Sequence, residues 1–415
     1  MADAEYALTQ VFRDEWPKLI GAAFRILGDL QAAEDAAQDT VVTALDRWPL
    51  QGVPDRPGAW LMTVCRNRAR NLARDSSREL QRIEAVGRLA QGQPGADADQ
   101  PQITDDRLRL IFVCCHPLLP ADAQVALTLR MVAGLTTDEI ARGFHLPIAA
   151  ISQRIVRAKR TLRQERVTFA DDDIDVRDRL TAVVDVIYLA FNEGYLPGGG
   201  ETVTRDDLAR EAHRLACLLT ELAPAEAETW SLRALLSFQL SRWATRAGPD
   251  GALLTLEAQD RARWDRRLIA DGVSALARAR AGARSALLLQ AELAACHATA
   301  SSFAATDWKE IIALYDELAS IQDSPVVALN RAVAVAMADG PEVALPLLDQ
   351  LADDPVLRQS HRVWAVRADV HHRAGHDTAA IADYDVAIGL ASNQAERQYL
   401  EDSRRRAARE PDKKG

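Results

Sequence analysis

The chain has 415 residues, of which 48 % are hydrophobic and 27 % are charged, and its formal net charge is −10. A chain of this length can build more than one domain, and this composition excludes a disordered or fibrous protein. No apolar run approaches the ~20 residues that span a bilayer, and the acidic N-terminus is unlike a signal peptide. We therefore expect a cytoplasmic protein without a membrane partner. Only 5 % of the residues are aromatic, whereas Ala, Leu and Arg are abundant, which favours helices throughout.

The charge is distributed unevenly along the chain. Residues 1–170 contain 22 basic and 21 acidic residues, whereas residues 171–415 contain 28 basic and 39 acidic ones. Because phosphates repel an acidic surface, nucleic-acid binding is expected in the first part only. The acidic part could lie against the basic patches of the first part.

The sequence offers little for catalysis or metal binding. Its five cysteines are odd in number and scattered, which argues against a disulfide framework. Cys114, Cys115 and His116 are consecutive, so on a helix they point about 100° apart and cannot converge on one metal ion. The glycine tract at 198–200 lacks the Lys-Ser/Thr of a phosphate-binding loop. We therefore predict no metal, no cofactor and no enzymatic activity.

Residues 5–88 are predicted to form a small helical domain. Apolar residues recur at helical spacing over residues 6–27, 29–48 and 59–78, and a loop with three prolines occupies residues 49–58. The second helix is predicted to bury a stripe that includes Leu45 and Trp48. Another side of the same helix forms an exposed acidic edge. The third helix carries Arg and Asn on one face, which suits phosphates and base edges. A solvated helix surface is the alternative for both faces.

A linker and a second helical domain follow. Residues 89–104 are predicted as a flexible linker, because the 14 residues 89–102 are rich in Gly, Pro, Ala and Asp and lack apolar periodicity. At ~3.4 Å per residue they can reach about 48 Å, which suits two domains on sites roughly two helical turns apart along one duplex. Residues 105–170 form the second domain.

Residues 135–162 within this domain are predicted as a helix-turn-helix. Ile151, Ile155, Ala158 and Leu162 form one apolar stripe on the second helix. The opposite face is small and polar at its N-terminal end and cationic towards its C-terminal end, which suits insertion into a major groove. A helical hairpin with a solvated basic face is the alternative. The seven basic residues and one acidic residue between positions 142 and 166 favour DNA binding.

The remaining chain is predicted to be helical, as an extension of unknown role over residues 176–300 and as tetratricopeptide-like helix pairs over residues 301–410. The last pair follows the tetratricopeptide pattern of large and small residues at Trp364, Ala368, Gly375, Ala380, Tyr384 and Ala387. Such repeats predict a protein partner. A polar group consists of Glu193, Glu257, Asp260, Arg261 and Asp265. It is interpreted as solvated or paired surface charge, with a pocket or docking surface as the alternative.

Two motifs in a fixed order carry a family resemblance. The motif LGDLQAAEDAAQDTVVTALDRW is followed by WLMTVCRNRARNLAR, the linker and a helix-turn-helix that contains IVRAKRTLR. Over residues 8–165 this order resembles a bacterial RNA polymerase sigma factor of the extracytoplasmic-function, sigma-70-like class. The resemblance implies an all-α fold with two small helical domains, the second a helix-turn-helix, and a role in transcription initiation. The complete architecture is similar to a subgroup that carries a C-terminal helical, tetratricopeptide-like extension.

The resemblance also assigns binding residues. The second helix matches the one that docks on the coiled coil of the largest polymerase subunit, with Asp35, Gln38, Asp39, Val42 and Asp46 as its contacts. Residues 60–74 match the helix that reads and opens the −10 element, through Trp60, Thr63, Arg66, Asn67, Arg70 and Arg74. The loop at 50–58 matches a segment that captures a flipped base. The helix-turn-helix is assigned to the −35 element, through Ala149, Ser152, Gln153, Arg154, Arg157 and Arg160.

The implied partners are core RNA polymerase, through its coiled coil and its flap, and promoter DNA, as a duplex and as a melted −10 strand. We hypothesise that the acidic extension biases the two DNA-binding domains between masked and polymerase-ready arrangements. The alternative function is a one-component DNA-binding regulator with a protein-binding repeat domain, which would leave residues 60–74 and the acidic helix without a role. A pure scaffold protein, a further alternative, would leave both basic helices without a role.

Overall fold

The computed structural model describes residues 2–84, 106–143, 146–167, 176–195, 206–248, 254–391 and 394–409. The regular elements in these ranges are all helices, which confirms the predicted all-α class. No helix among them is long and apolar enough to cross a membrane. The predicted linker at 89–104 and the glycine tract at 198–200 lie outside the described residues. The chain divides into two compact units: an N-terminal unit of Met1–Gly198 with Arg205–Ala223, and a C-terminal unit of Gly199–Thr204 with Pro224–Gly415.

The N-terminal unit begins with three helices, α1 (Ala2–Leu27), α2 (Leu30–Gln51) and α3 (Pro57–Glu84). Helix α1 packs against both others and buries Trp16 and Phe24. Helix α2 starts at an N-cap, because the carboxylate of Asp29 accepts a hydrogen bond of 2.8 Å from the Ala32 amide.

Two details of this region differ from expectation. Leu45, expected in the buried stripe of α2, is 46 % exposed, and the stripe is built of small residues and Trp48 instead. The proline-rich loop is shorter than expected, because α2 continues through Pro49 and α3 begins at Pro57. Proline is tolerated at a first helical position, where its missing amide hydrogen costs no hydrogen bond.

Four further helices follow in the same unit: α4 (Asp106–Cys114), α5 (Ala121–Met131), α6 (Thr137–Gly143) and α7 (Ile148–Gln164). Helices α6 and α7 are the predicted helix-turn-helix. Thr136 and Glu139 cap α6 reciprocally, since each side chain accepts a hydrogen bond from the other residue's amide, at 2.7 and 3.2 Å. The apolar stripe of α7, from Ile151 to Leu162, is buried as predicted.

Three cysteines of this unit, Cys65, Cys114 and Cys115, belong to its core. Burial raises the pKa of the Cys65 thiol to about 11 and that of Cys115 to about 12. Cys114 is buried as well, and burial raises the pKa of its thiol well above the usual range. Thiols with raised pKa values stay protonated at neutral pH and pack as small hydrophobic groups.

Helices α8 (Val176–Tyr195) and α9 (Asp206–Leu222) complete the N-terminal unit. They pack on each other, and α8 also packs on α4 and α5. The buried Arg179 guanidinium of α8 donates a hydrogen bond of 3.0 Å to the Phe112 carbonyl of α4. The start of the extension is therefore part of the same compact unit as the helix-turn-helix.

The C-terminal unit is a series of helices, each packed on the next. They are α10 (Ala227–Ser241), α11 (Arg266–Ala279), α12 (Ala286–Thr299), α13 (Trp308–Ile321), α14 (Pro325–Ala338), α15 (Pro341–Ala352), α16 (His361–Ala374), α17 (Asp377–Leu390) and α18 (Gln394–Arg409). Gly375 ends α16 in the left-handed region, at φ +81°, and Ala368, Ala380 and Tyr384 are buried between α16 and α17. The predicted last helix pair lies here, and its tetratricopeptide assignment stays a prediction.

Candidate polymerase- and nucleic-acid-binding surfaces

Helix α7 presents its predicted contact residues to solvent. Ala149, Ser152, Gln153, Arg157 and Arg160 are exposed on the sides away from the buried stripe. The sixth predicted residue, Arg154, is partly buried and forms an ion pair of 3.1 Å with Asp122 at the start of α5. The resulting surface has small residues near the N-terminus of α7 and guanidinium groups near its C-terminus.

Helix α3 carries the second basic surface. Thr63, Arg66, Asn67, Arg70 and Arg74 are all exposed along it. Trp60 is only partly exposed, because its ring packs edge-on against the ring of Trp48, with centroids 5.7 Å apart. The short loop 52–56 runs between the helices that carry these two tryptophans.

Five of the six predicted arginines on these two surfaces lack a carboxylate partner among the described residues, and Arg154 is the exception. Within the described part of the chain, no ion pair is formed by the guanidinium groups of Arg66, Arg70, Arg74, Arg157 and Arg160. An exposed guanidinium presents several donors in a fixed plane, which match the oxygens of a phosphate or the acceptor edge of guanine. These five arginines can therefore bind an external anion without first breaking an ion pair to another described residue.

Helix α2 presents the predicted polymerase-binding residues, Asp35, Gln38, Asp39, Val42 and Asp46, all of which are exposed. Val42 is 54 % exposed, so an apolar side chain stands among the carboxylates. Asp39 forms an ion pair of 2.7 Å with Arg68 of α3, and Asp35 accepts a hydrogen bond of 2.8 Å from Gln31. An acidic edge with an apolar centre suits a basic helical partner.

A buried ionic cluster joins α2 to the helix-turn-helix domain. Glu34, with 5 % of its side chain exposed, forms ion pairs with Arg130 of α5, at 3.0 Å, and with Lys159 of α7. Lys159, with 9 % of its side chain exposed, also donates a hydrogen bond of 3.2 Å to Gln31. At the edge of this contact, Arg163 of α7 pairs with Asp29 at 3.1 Å.

This cluster was not predicted from the sequence, although two features of the sequence point to it. Glu34 lies three residues before Ala37, at helical spacing on the buried side of α2, and Lys159 lies four residues after Ile155 on the buried side of α7. A charged residue at an apolar position is seldom buried unless it has a partner. Two such residues of opposite sign indicate a pair, but only the fold shows that they meet.

The cluster belongs to a wider contact between the two predicted domains. Helix α1 packs on α4 and α5, and the Trp16 indole donates a hydrogen bond of 3.3 Å to the Arg130 carbonyl. Arg130 in turn donates to the Leu135 carbonyl, at 3.1 Å, just before α6. In this arrangement the contact face of α7 is open to solvent while its flank is held by α2.

Three family models match the chain. Sigma-70 region 2 matches residues 11–79, which span most of α1 to α3, and sigma-70 region 4 matches residues 109–162, which span α4 to α7. A family of unknown function, DUF6596, matches residues 179–280. The two sigma-70 matches thus cover all three surfaces described above.

Relatives of two kinds are found. An uncharacterized protein of Rhizobium meliloti is 40 % identical over 390 residues, which are 92 % of each chain. The ECF RNA polymerase sigma factor SigL of Mycobacterium tuberculosis is 28 % identical over 164 residues, 39 % of this chain and 90 % of that protein. The probable ECF RNA polymerase sigma factor SigI of the same species is 27 % identical over 153 residues, 36 % of this chain and 52 % of that protein.

Proposed function

This chain belongs to the extracytoplasmic-function class of bacterial RNA polymerase sigma factors, and we propose that it binds core RNA polymerase and directs it to specific promoters. One observation carries this proposal. Two helices in one unit, α3 and α7, both expose arginines that form no ion pair with another described residue, and these arginines lie within the region 2 and region 4 matches. A one-component regulator would need only one such surface.

We assign the −35 element to α7. Ala149 lets the helix approach the base pairs closely, and the amide of Gln153 can pair with the donor and acceptor of adenine in the major groove. Arg157 and Arg160 lie further along the same side and suit a guanine edge or phosphates. Ser152 and Arg154 flank this face and suit phosphates, and Arg154 would exchange Asp122 for a DNA phosphate.

We assign the −10 element to α3. The Arg and Asn side chains would hold the backbone and base edges of the strand, and the loop 52–56 next to the Trp48–Trp60 pair would receive an unstacked base. Stacking contributes less than in proteins with many exposed aromatic residues, because Trp60 already packs on Trp48.

We assign core polymerase to the acidic edge of α2. Its carboxylates would meet a basic coiled coil of the largest subunit around Val42, and the helix-turn-helix domain would contact the flap. Arg68 competes with the polymerase for Asp39, since the two already form an ion pair. Docking would therefore exchange one half-exposed ion pair for another.

Function requires the two domains to separate. Two promoter elements roughly two helical turns apart lie about 70 Å from each other, whereas α2 and α7 are in direct contact here. The Glu34 cluster is the contact that must break. We further propose that the C-terminal extension regulates this change, because it carries most of the negative charge while the first 170 residues are nearly neutral.

The test is reconstitution of the full chain with core polymerase and selection of promoters from a random DNA library, followed by mapping of transcription starts. We expect transcripts that begin at a fixed distance from two conserved elements. Sequence-specific DNA binding without core polymerase, and no transcript with it, would instead support the one-component regulator.

The regulatory part is tested by shortening the chain. The end point is Ala223 rather than residue 170, because α8 and α9 pack on the helix-turn-helix domain and their loss would expose its core. Circular dichroism checks that the shortened chain is folded. We expect its promoter-dependent transcription to differ from that of the full chain, and unchanged transcription with unchanged dependence on the inducing signal would refute the idea.

A further inference from the structure

One face of the C-terminal unit is formed by alternate helices. From α12 to α18 each helix packs on the next, and α14 also packs on α16, as expected when alternate helices lie side by side. Two adjacent cavities on this side are lined mainly by residues of α12, α14, α16 and α18, with Trp308, Ile311 and Tyr315 of α13 and Tyr384 of α17. We call it the even-helix face.

A segment of the same chain already lies on the even-helix face. It consists of residues 254–258, from the long connection between α10 and α11, and it contributes to the walls of both cavities. Its Glu257 forms an ion pair of 2.7 Å with Arg373 of α16, whose guanidinium also pairs with Asp369 at 2.8 Å. Thr255, Glu257, Asp369 and Arg373 line both cavities, so the segment lies where the cavities adjoin.

The two cavities differ in chemistry. The smaller, of about 240 Å³, is lined by Leu256 and by an aromatic group in which Trp308 packs edge-on against His297 and Phe303. The larger, of about 560 Å³, is lined by polar side chains that include those of Tyr399, Asp402, Arg405 and Arg406. An apolar recess thus lies on one side of Arg373, and a more basic one lies on the other.

The segment is anchored firmly at its end and weakly in its middle. Gln259 and Arg261 are 7 % and 8 % exposed, and Arg261 donates hydrogen bonds to the carbonyls of His297 and Ala300, the second at 3.0 Å. Among the described residues, the middle is held on the even-helix face by one ion pair, whose Glu257 side chain is half exposed, and by the partly exposed side chain of Leu256 in the smaller cavity. Exposed ion pairs contribute little, so the middle can leave while the anchors stay.

We propose that the even-helix face is a docking site for an acidic, extended segment of a partner protein, and that residues 254–258 occupy it until the partner arrives. The partner places an apolar side chain in the aromatic recess and a carboxylate on Arg373, as Leu256 and Glu257 do here. Without Glu257, the ion-forming side chains that the described residues place around the larger cavity are Arg373, Arg405 and Arg406 against Asp369 and Asp402. The vacated site then carries a net positive charge, which favours an acidic occupant.

The test uses the full chain and a fluorescein-labelled peptide of residues 254–260, LTLEAQD, followed by fluorescence anisotropy. The double variant Leu256→Ser/Glu257→Ser removes the side chains of the internal occupant but keeps its length and anchors. We expect the peptide to bind this variant at least about tenfold more tightly than it binds the unchanged chain. In the unchanged chain the internal segment competes with the peptide, and a tethered competitor acts at an effective concentration in the millimolar range. Adding Arg373→Gln is expected to abolish the gain.

Two controls make the result specific. Glu342→Ser/Val343→Ser removes a matched acidic and apolar pair, both exposed on α15 away from these cavities, and should leave peptide binding as in the unchanged chain. Arg373→Glu, added to the first double variant, should reject LTLEAQD and accept LTLKAQD. Equal binding to the unchanged chain and the first double variant would overturn the proposal. The proposal would also be overturned if the peptide did not bind that variant although its thermal unfolding was unchanged. The same holds if peptide binding did not depend on Arg373.

Discussion

Arginines are used differently in the two units. In the C-terminal unit, many of them are paired with carboxylates of a neighbouring helix, as in Arg284–Glu317, Arg331–Asp316 and Arg367–Asp383, at 2.6 to 2.7 Å. In the N-terminal unit, the arginines on the contact faces of α3 and α7 lack such a partner within the described residues. The same residue type therefore stabilises packing in one unit and is left available for an external anion in the other.

The comparison shows that a high arginine content alone does not identify a DNA-binding surface. The C-terminal unit is also rich in arginine, but its carboxylates lie close enough to neutralise many of these side chains. The Glu34 cluster is the place where the N-terminal unit resembles the C-terminal one, because its charges are paired internally and are also buried. Removing a charge that is paired within the chain should therefore lower stability, whereas removing an unpaired arginine should weaken binding of an external partner.

The largest effect is expected for Glu34→Gln. This change removes the negative charge between Arg130 and Lys159 and leaves both cations without their buried partner. We expect the free energy of unfolding of the N-terminal unit to fall by about 3 kcal/mol. Urea unfolding of the full chain, followed by the fluorescence of the buried tryptophan residues, measures it. Asp35→Asn, an exposed change on the same helix, is the control and should stay within about 0.5 kcal/mol. Equal effects of the two changes would contradict the role of the cluster.

Two double variants test whether paired and unpaired arginines have different roles. Arg157→Gln/Arg160→Gln should weaken binding of the holoenzyme to its selected promoter about thirtyfold and reduce the slope of log K against log salt by about 2. Arg284→Gln/Arg331→Gln removes two paired arginines and should lower the thermal unfolding temperature but leave that slope unchanged. A similar change of slope in both variants would show that paired and unpaired arginines contribute alike to the salt dependence of DNA binding.

A smaller, more selective effect is expected for Arg70→Ala. Because Arg70 is exposed on α3 and, among the described residues, forms no ion pair with the acidic edge of α2, promoter opening should fall about fivefold while binding to core polymerase persists. Permanganate reactivity of the −10 strand reports opening, and co-purification with core polymerase reports binding. Val42→Ser is the complementary variant and should reduce core binding instead. Loss of core binding in the Arg70 variant would mean that the surfaces of α2 and α3 have been assigned wrongly.

Much of the fold could be predicted from sequence because helical periodicity is a local property. The apolar stripe of α7 from Ile151 to Leu162 was identified by spacing alone, and so were the helices that carry the predicted contact residues. The exposure of Leu45 could not be predicted, because either edge of a stripe of small residues can be turned to solvent. The partnership of Glu34 with Lys159 joins residues 125 positions apart and depends on the packing of two domains. The position of residues 254–258 likewise depends on tertiary packing.

The smallest effect is expected for Asp39, a carboxylate that is paired within the chain and is also proposed to bind the polymerase. Its carboxylate pairs with Arg68, but both side chains are half exposed, so the pair should contribute less than about 1 kcal/mol to stability. Asp39→Asn should therefore leave urea unfolding almost unchanged and weaken core polymerase binding about threefold. Arg68→Gln separates the two roles of Asp39, because it removes the internal partner and leaves the carboxylate for the polymerase. We expect this variant to bind core polymerase at least as tightly as the unchanged chain. Equal losses of binding in both variants would show that the polymerase uses the ion pair rather than Asp39 alone.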